Sequence, residues 1–176
     1  MRIAITPLIA VLIWSDIPPH GYQYALYLYT IASVTDYIDG FIARWLKVES
    51  PFGEMLDPIA DKLLVAAVLL ALASVQTSGW LFMVPALIIM IREFMISGLR
   101  EYLAGQNISA PVTVLAKWKT TAQILALGFL MGAPGFPGFP FANEIGLALL
   151  WVAAILTIQT GSGYVKGALR HVKNLC

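Results

Sequence analysis

Between Asp36 and Asp61 the chain reads DYIDGFIARWLKVESPFGEMLDPIAD, with four aspartates, two glycines and one arginine set between long apolar runs. Asp36 and Asp39 are three apart, so they share a helix face, with Gly40 and Ala43 on that face and Arg44 beside it. Asp57 and Asp61 are four apart and share a face of the next helix. Pro51 and Gly53 resist helix continuation, which predicts a turn over 47–54 between two helices folded back antiparallel. That hairpin would gather four carboxylates at one end. Clustered carboxylates repel one another unless cations lie between them, and a hard divalent ion with oxygen ligands is the usual answer. Gly40 and Ala43 leave room for a large group, and Arg44 offers a guanidinium suited to phosphate. These residues point to a metal-bridged diphosphate site at a membrane edge. The plainer alternative is a set of solvated charges at helix ends, but four acids in fixed phase within apolar helices are hard to place that way.

The rest of the chain says what surrounds this stretch. It has 176 residues, enough for one domain, and is 59% hydrophobic and 12% charged, against about 25% charged in soluble domains. This is the composition of a polytopic membrane protein. The net charge of +1 carries no information about partners, and no nucleic-acid partner is expected. A single cysteine, Cys176, excludes an internal disulfide framework. The sequon at Asn107 falls in a stretch expected on the cytoplasmic side, where glycosylation does not occur.

Six helices are predicted, over 3–14, 22–46, 55–75, 80–104, 116–131 and 142–160, giving an all-α fold with six transmembrane spans. The loops 132–141 (Gly/Pro/Phe-rich) and 105–115 and a basic tail over 161–176 complete the chain. Pro58 is placed in the first turn of its helix, where a missing N–H costs little, and Lys62 is expected to reach headgroups. Stretches 15–21, 76–79 and 132–143 contain no Lys or Arg, whereas Arg44, Lys47, Arg100, Lys117, Lys119 and the tail alternate with them. By the positive-inside rule both termini and the aspartates face the cytoplasm.

A second set of polar residues lies further on. Arg92 and Arg100, eight apart, are expected to share a face of the fourth helix, with Ser97 nearby. They form either an anion site or ion pairs with Glu93 and Glu101, and spacing alone does not separate the two. Lys117, Lys119 and Thr120, opening the fifth helix, either hold a phosphate through side chains and free N–H groups or serve as positive-inside anchors.

The pattern Asp36-x2-Asp39-Gly40-x2-Ala43-Arg44-x8-Gly53-x3-Asp57-x3-Asp61 resembles, at all eight positions, the signature of the CDP-alcohol phosphotransferase family. The resemblance implies six transmembrane helices, a homodimer, and transfer of a substituted phosphate from a CDP-linked donor to an alcohol with release of CMP, using Mg2+ or Mn2+. It implies an integral protein of the bacterial cytoplasmic membrane with its site facing the cytoplasm. It also implies an N-terminal Asn-x2-Thr-x2-Arg-x4-Pro pattern, of which Arg2 and Pro7 match the end. The Asn and Thr would precede Met1, so a truncated N-terminus is expected. The stretches from Arg92 to Glu101 and from Lys117 to Gln123 resemble the phosphatidylglycerophosphate synthase branch. That branch uses CDP-diacylglycerol and sn-glycerol 3-phosphate.

The roles this implies are as follows. Asp36, Asp39, Asp57 and Asp61 hold metal, and Asp61 is also the candidate general base. Gly40, Ala43, Arg44 and Gly53 accommodate the donor. Arg92, Arg100, Lys117 and Lys119 hold the acceptor phosphate. A related transferase with another acceptor, such as a cardiolipin synthase, is the nearest alternative. A divalent-cation transporter is the alternative of another class, but it gives Gly40, Ala43 and Gly53 no purpose and would place its acids at the midplane.

Overall fold

The computed structural model describes residues 2–15, 20–46, 51–75, 77–106, 114–136 and 138–173, without the side chains of 36, 37, 39–46, 51–55, 104, 114, 116, 117 and 163–173. These described residues form six helices: α1 (Arg2–Trp14), α2 (Gly21–Leu46), α3 (Pro51–Val75), α4 (Trp80–Gly105), α5 (Val114–Gly135) and α6 (Ala142–Lys173). The fold is all-helical. Three segments, Leu56–Val75, Trp80–Leu103 and Ala142–Ser162, are long and apolar enough to cross a membrane. The remaining helices carry shorter or more polar runs. α1 has 13 residues, α2 interleaves five tyrosines and Gln23 with its aliphatics, and the first turns of α5 carry Lys117, Lys119 and two threonines.

The helix ends differ from expectation in physically informative ways. α3 begins at Pro51, four residues before the expected start. Proline is favoured at the first helical position, where its fixed φ is already helical and its missing N–H has no partner to lose, so Pro51 starts this helix rather than delaying it. Gly53 is thereby in the first turn of α3. Pro58 becomes the eighth residue of the helix, not part of its first turn, and leaves the Glu54 carbonyl without its helical donor. α5 runs on to Gly135 through Pro134, where a loop was expected from 132. α6 continues to Lys173, so most of the expected basic tail is helix. The expected 47–50 and 107–113 connections lie outside the described residues.

The chain divides into two compact units, Met1–Thr77 with Leu127–Glu144, and Ser78–Ala126 with Ile145–Cys176. In the first, α1 packs against α3 and α2, around Ile9, Ile13, Ala32, Leu64, Val68 and Leu72. The end of α5 meets the start of α2 in the same unit. Gln23 Nε2 donates to the Gly135 carbonyl at 2.6 Å, and His20 Nδ1 lies 2.7 Å from Gln23 Oε1. A Cβ on Gly135 would meet the Gln23 backbone nitrogen at 3.3 Å and its Cγ at 3.1 Å, so any larger residue would require Gln23 to shift by a few tenths of an ångström. In the second unit Phe82, Ile89, Ile96, Leu150, Ala153 and Ala154 are buried. The Trp151 indole donates to the Leu81 carbonyl at 3.0 Å. Gly79, at φ 54, takes the left-handed conformation just before α4, which costs glycine nothing.

Small residues recur on the buried faces, among them Ala25, Ala32, Ala60, Ala66, Ala86, Ala153 and Ala154, while Leu70, Leu87, Ile91, Phe94, Val152 and Ile155 face outward. Lipid tails are as apolar as leucine, so helices in a bilayer associate through close packing rather than by hiding apolar surface. This distribution is that of an integral membrane protein.

Candidate active site

In the first unit the described half of the acidic motif is Asp57 and Asp61 on α3. One turn of helix separates them, and both turn toward one guanidinium. Arg2, the first residue of α1, donates from Nη1 to Asp61 Oδ1 at 2.7 Å, and its Nη2 lies 3.8 Å from Asp57 Oδ1. The arginine side chain is largely covered, with 10% of its surface exposed, while Asp57 and Asp61 remain 71% and 61% exposed. The pair is therefore wet on one side and closed on the other. Asp36, Asp39, Gly40, Ala43 and Arg44 belong to α2, and Gly53 to α3, but their side chains lie outside the described residues.

Among the described residues no group of three or more acidic, His or Cys side chains gathers, and Asp57 and Asp61 supply two carboxylates of the oxygen-donor kind that hard divalent ions take. They offer oxygen donors with open solvent access, and they already converge on a single positive group. Oxygen-only, partly hydrated coordination by a few carboxylates is the habit of Mg2+ and Mn2+ sites.

The second unit holds a different cluster. Arg92 on α4 is buried, and its donors reach three ways. Nε donates to the Thr157 carbonyl at 3.0 Å, Nη2 to Thr160 Oγ1 at 2.8 Å, and Nη1 to Glu93 Oε1 at 3.2 Å. Lys119 on α5 donates to the same Glu93 oxygen. The Thr160 hydroxyl in turn donates within its own helix, to Leu156 or Thr157 carbonyls. Glu93 thus joins α4 to α5, and Arg92 joins α4 to α6. Such charges are stable away from water only when paired and hydrogen-bonded. Arg92 packs closely over Gly161, where a Cβ would lie 3.4 Å from its Cγ and Nε. Two oxygens in this region, Gln123 Oε1 and Thr157 Oγ1, are buried and have no hydrogen-bond partner among the described residues.

Of the alternatives left open by spacing, the ion pair is present for Arg92. Arg100 does not share its environment: Arg92 is buried and Arg100 exposed. Eight residues overshoot two turns by about 80° at 3.6 residues per turn, so the expectation of one common face fails. α5 starts at Val114, not 116, which places Lys119 and Thr120 in its second turn. Their own N–H groups belong to the helical ladder, and an anion there would be held by side chains. The Lys117 side chain lies outside the described residues.

Arg2, which the sequence matches to the end of the family's N-terminal pattern, is the residue whose place beside Asp57 and Asp61 was not anticipated, because its partners lie on another helix.

Comparison with known proteins agrees with the motif. Residues 1–159 match the model of the CDP-alcohol phosphatidyltransferase family. Similar proteins include three named CDP-diacylglycerol–glycerol-3-phosphate 3-phosphatidyltransferase. The one from Rickettsia bellii is 41% identical over 97% of this chain and 92% of its own length. The one from Rickettsia typhi is 45% identical over 79% of this chain and 76% of its own. The one from Cereibacter sphaeroides is 34% identical over 99% of this chain and 94% of its own. With the match covering most of its length and the paired aspartates of α3 in place, the chain belongs to the CDP-alcohol phosphatidyltransferase family.

Proposed function

We propose that this chain transfers the phosphatidyl group of CDP-diacylglycerol to sn-glycerol 3-phosphate, forming phosphatidylglycerophosphate and CMP in phospholipid biosynthesis. The observation that carries the proposal is the shared name of relatives 34–45% identical over most of the chain. The chemistry of both clusters supports it.

Asp36, Asp39, Asp57 and Asp61 would hold Mg2+ or Mn2+, which when bound neutralises the charge of the donor diphosphate. Gly40, Ala43 and Gly53 give the nucleotide close approach, and Arg44 contacts the donor phosphates. Asp61 accepts the proton of the acceptor hydroxyl, whose oxygen attacks the phosphorus attached to diacylglycerol as CMP departs. The acceptor brings its own phosphate, and Arg92, Lys117 and Lys119 are its ligands, with Arg100 on a separate, exposed face of α4. Arg92 has two of its five N–H donors uncommitted among the described residues. Gln123 Oε1 and Thr157 Oγ1 are buried acceptors suited to hydroxyl groups. Positioning of this kind supplies much of the rate in a transfer between two bound partners.

The setting is the bacterial cytoplasmic membrane, with six spans, both termini and the aspartates on the cytoplasmic side, and a homodimer as the assembly. The donor's acyl chains stay in the bilayer. Incubating purified protein with CDP-diacylglycerol and, in turn, glycerol 3-phosphate, serine, inositol or phosphatidylglycerol tests the acceptor. Mass spectrometry should find phosphatidylglycerophosphate alone. Cardiolipin, or a product from an acceptor without a phosphomonoester, would overturn the assignment.

A further inference from the structure

Arg2 stands in an unusual position. It belongs to α1, a different helix from its two acidic partners on α3. It is nearly covered, and it spans Asp57 and Asp61, which lie 55 and 59 residues away in the sequence, at 3.8 and 2.7 Å. Two carboxylates one helical turn apart repel each other when no cation separates them. The guanidinium removes that repulsion, and it does so between groups that a divalent ion would also use.

We propose that Arg2 is a built-in counter-cation of the α3 acid pair, holding Asp57 and Asp61 toward one point and opposing the metal that loads there. The inference rests on the reading of Asp57 and Asp61 as metal ligands. A positive charge within hydrogen-bond distance of a ligand oxygen raises the free energy of a bound dication, so metal binding proceeds against Arg2 and must turn it aside. Arg2 is thus a positioning residue: it keeps the acids gathered in the unloaded protein and lowers their affinity for the ion, favouring reversible loading.

If gathering the acids were its only effect, removing Arg2 would loosen them and weaken metal binding; the charge opposition outweighs that effect and gives the opposite sign. The probe is Mn2+ alone, titrated into the full chain in detergent without nucleotide and followed by the paramagnetic resonance signal of the free ion. The comparison includes Arg2→Gln and Arg2→Met, the second retaining most of the apolar stem, together with Arg2→Lys and Asp57→Ala. Both uncharged variants should bind Mn2+ roughly twofold to fivefold more tightly, from the size of exposed charge-pair interactions, and Arg2→Lys should stay close to the parent. Unchanged or weaker binding in both uncharged variants would overturn the role of Arg2, provided that parent binding is lost in Asp57→Ala. Parent binding that survives Asp57→Ala would overturn the metal-ligand reading itself, and the Arg2 role with it.

Discussion

Replacing Glu93 is the sharpest test of the buried cluster. Its Oε1 is the shared acceptor for Arg92 and Lys119, and the three side chains are only 10%, 18% and 9% exposed for Arg92, Glu93 and Lys119. Glu93→Ala would leave two covered cations without their anion. Removing one partner of a buried pair costs about 3–5 kcal/mol. The residual exposure of Glu93 argues for the lower end, about 3 kcal/mol. At roughly 2–4 °C per kcal/mol for a chain of this size, the midpoint of thermal unfolding should fall by roughly 6–12 °C. Glu93→Gln keeps an acceptor oxygen but not the charge, and should fall about half as far. The decisive variant is Glu93→Ala with Lys119→Met, which removes one stranded cation while filling its volume. It should recover about 1–2 kcal/mol of the loss, a non-additivity expected of direct partners. Circular dichroism of the detergent-solubilised proteins reads the midpoints. A single-variant loss below about 1 kcal/mol, or strict additivity in the double variant, would refute the claim that Glu93 neutralises covered charge.

Other substitutions separate the proposed roles. Lys119→Ala should raise the KM for glycerol 3-phosphate at least about tenfold while donor binding changes little, as expected when a charge-assisted contact to phosphate is lost. Asp61→Asn should abolish turnover while CDP-diacylglycerol still binds; loss of donor binding to the same degree in both variants would sink this division. Gly135→Ala should destabilise the protein by about 1 kcal/mol, because the added carbon presses on the Gln23 backbone nitrogen at 3.3 Å. A neutral thermal melt for that variant would show that the helices separate freely.

The helices were legible because hydrophobic runs of the right length leave little choice once the composition points to a bilayer. α1, α2 and α4 start and end within a residue or two of the sequence reading. The misplaced boundaries came from treating proline and glycine as breakers without asking where in a helix they fall. Pro51 at a first position promotes a helix, and Gly161 lies inside α6 rather than ending it. The pairing of Asp57 with Asp61 followed from a spacing of four. Arg2 did not follow from any spacing, since its partners lie on another helix and only tertiary packing joins them. The same holds for the reach of Arg92 to Thr157 and Thr160, 65 and 68 residues away. Periodicity reports the face of one helix; it is silent on which face of another helix lies opposite.

The central claim is a metal-dependent transfer that needs both the α3 acids and a phosphorylated acceptor. Release of CMP from CDP-diacylglycerol and Mg2+ tests it most directly, measured with and without glycerol 3-phosphate and beside Asp57→Ala. The account predicts CMP only when acceptor, Mg2+ and Asp57 are all present. CMP formed equally without the acceptor, or undiminished in Asp57→Ala, would contradict it.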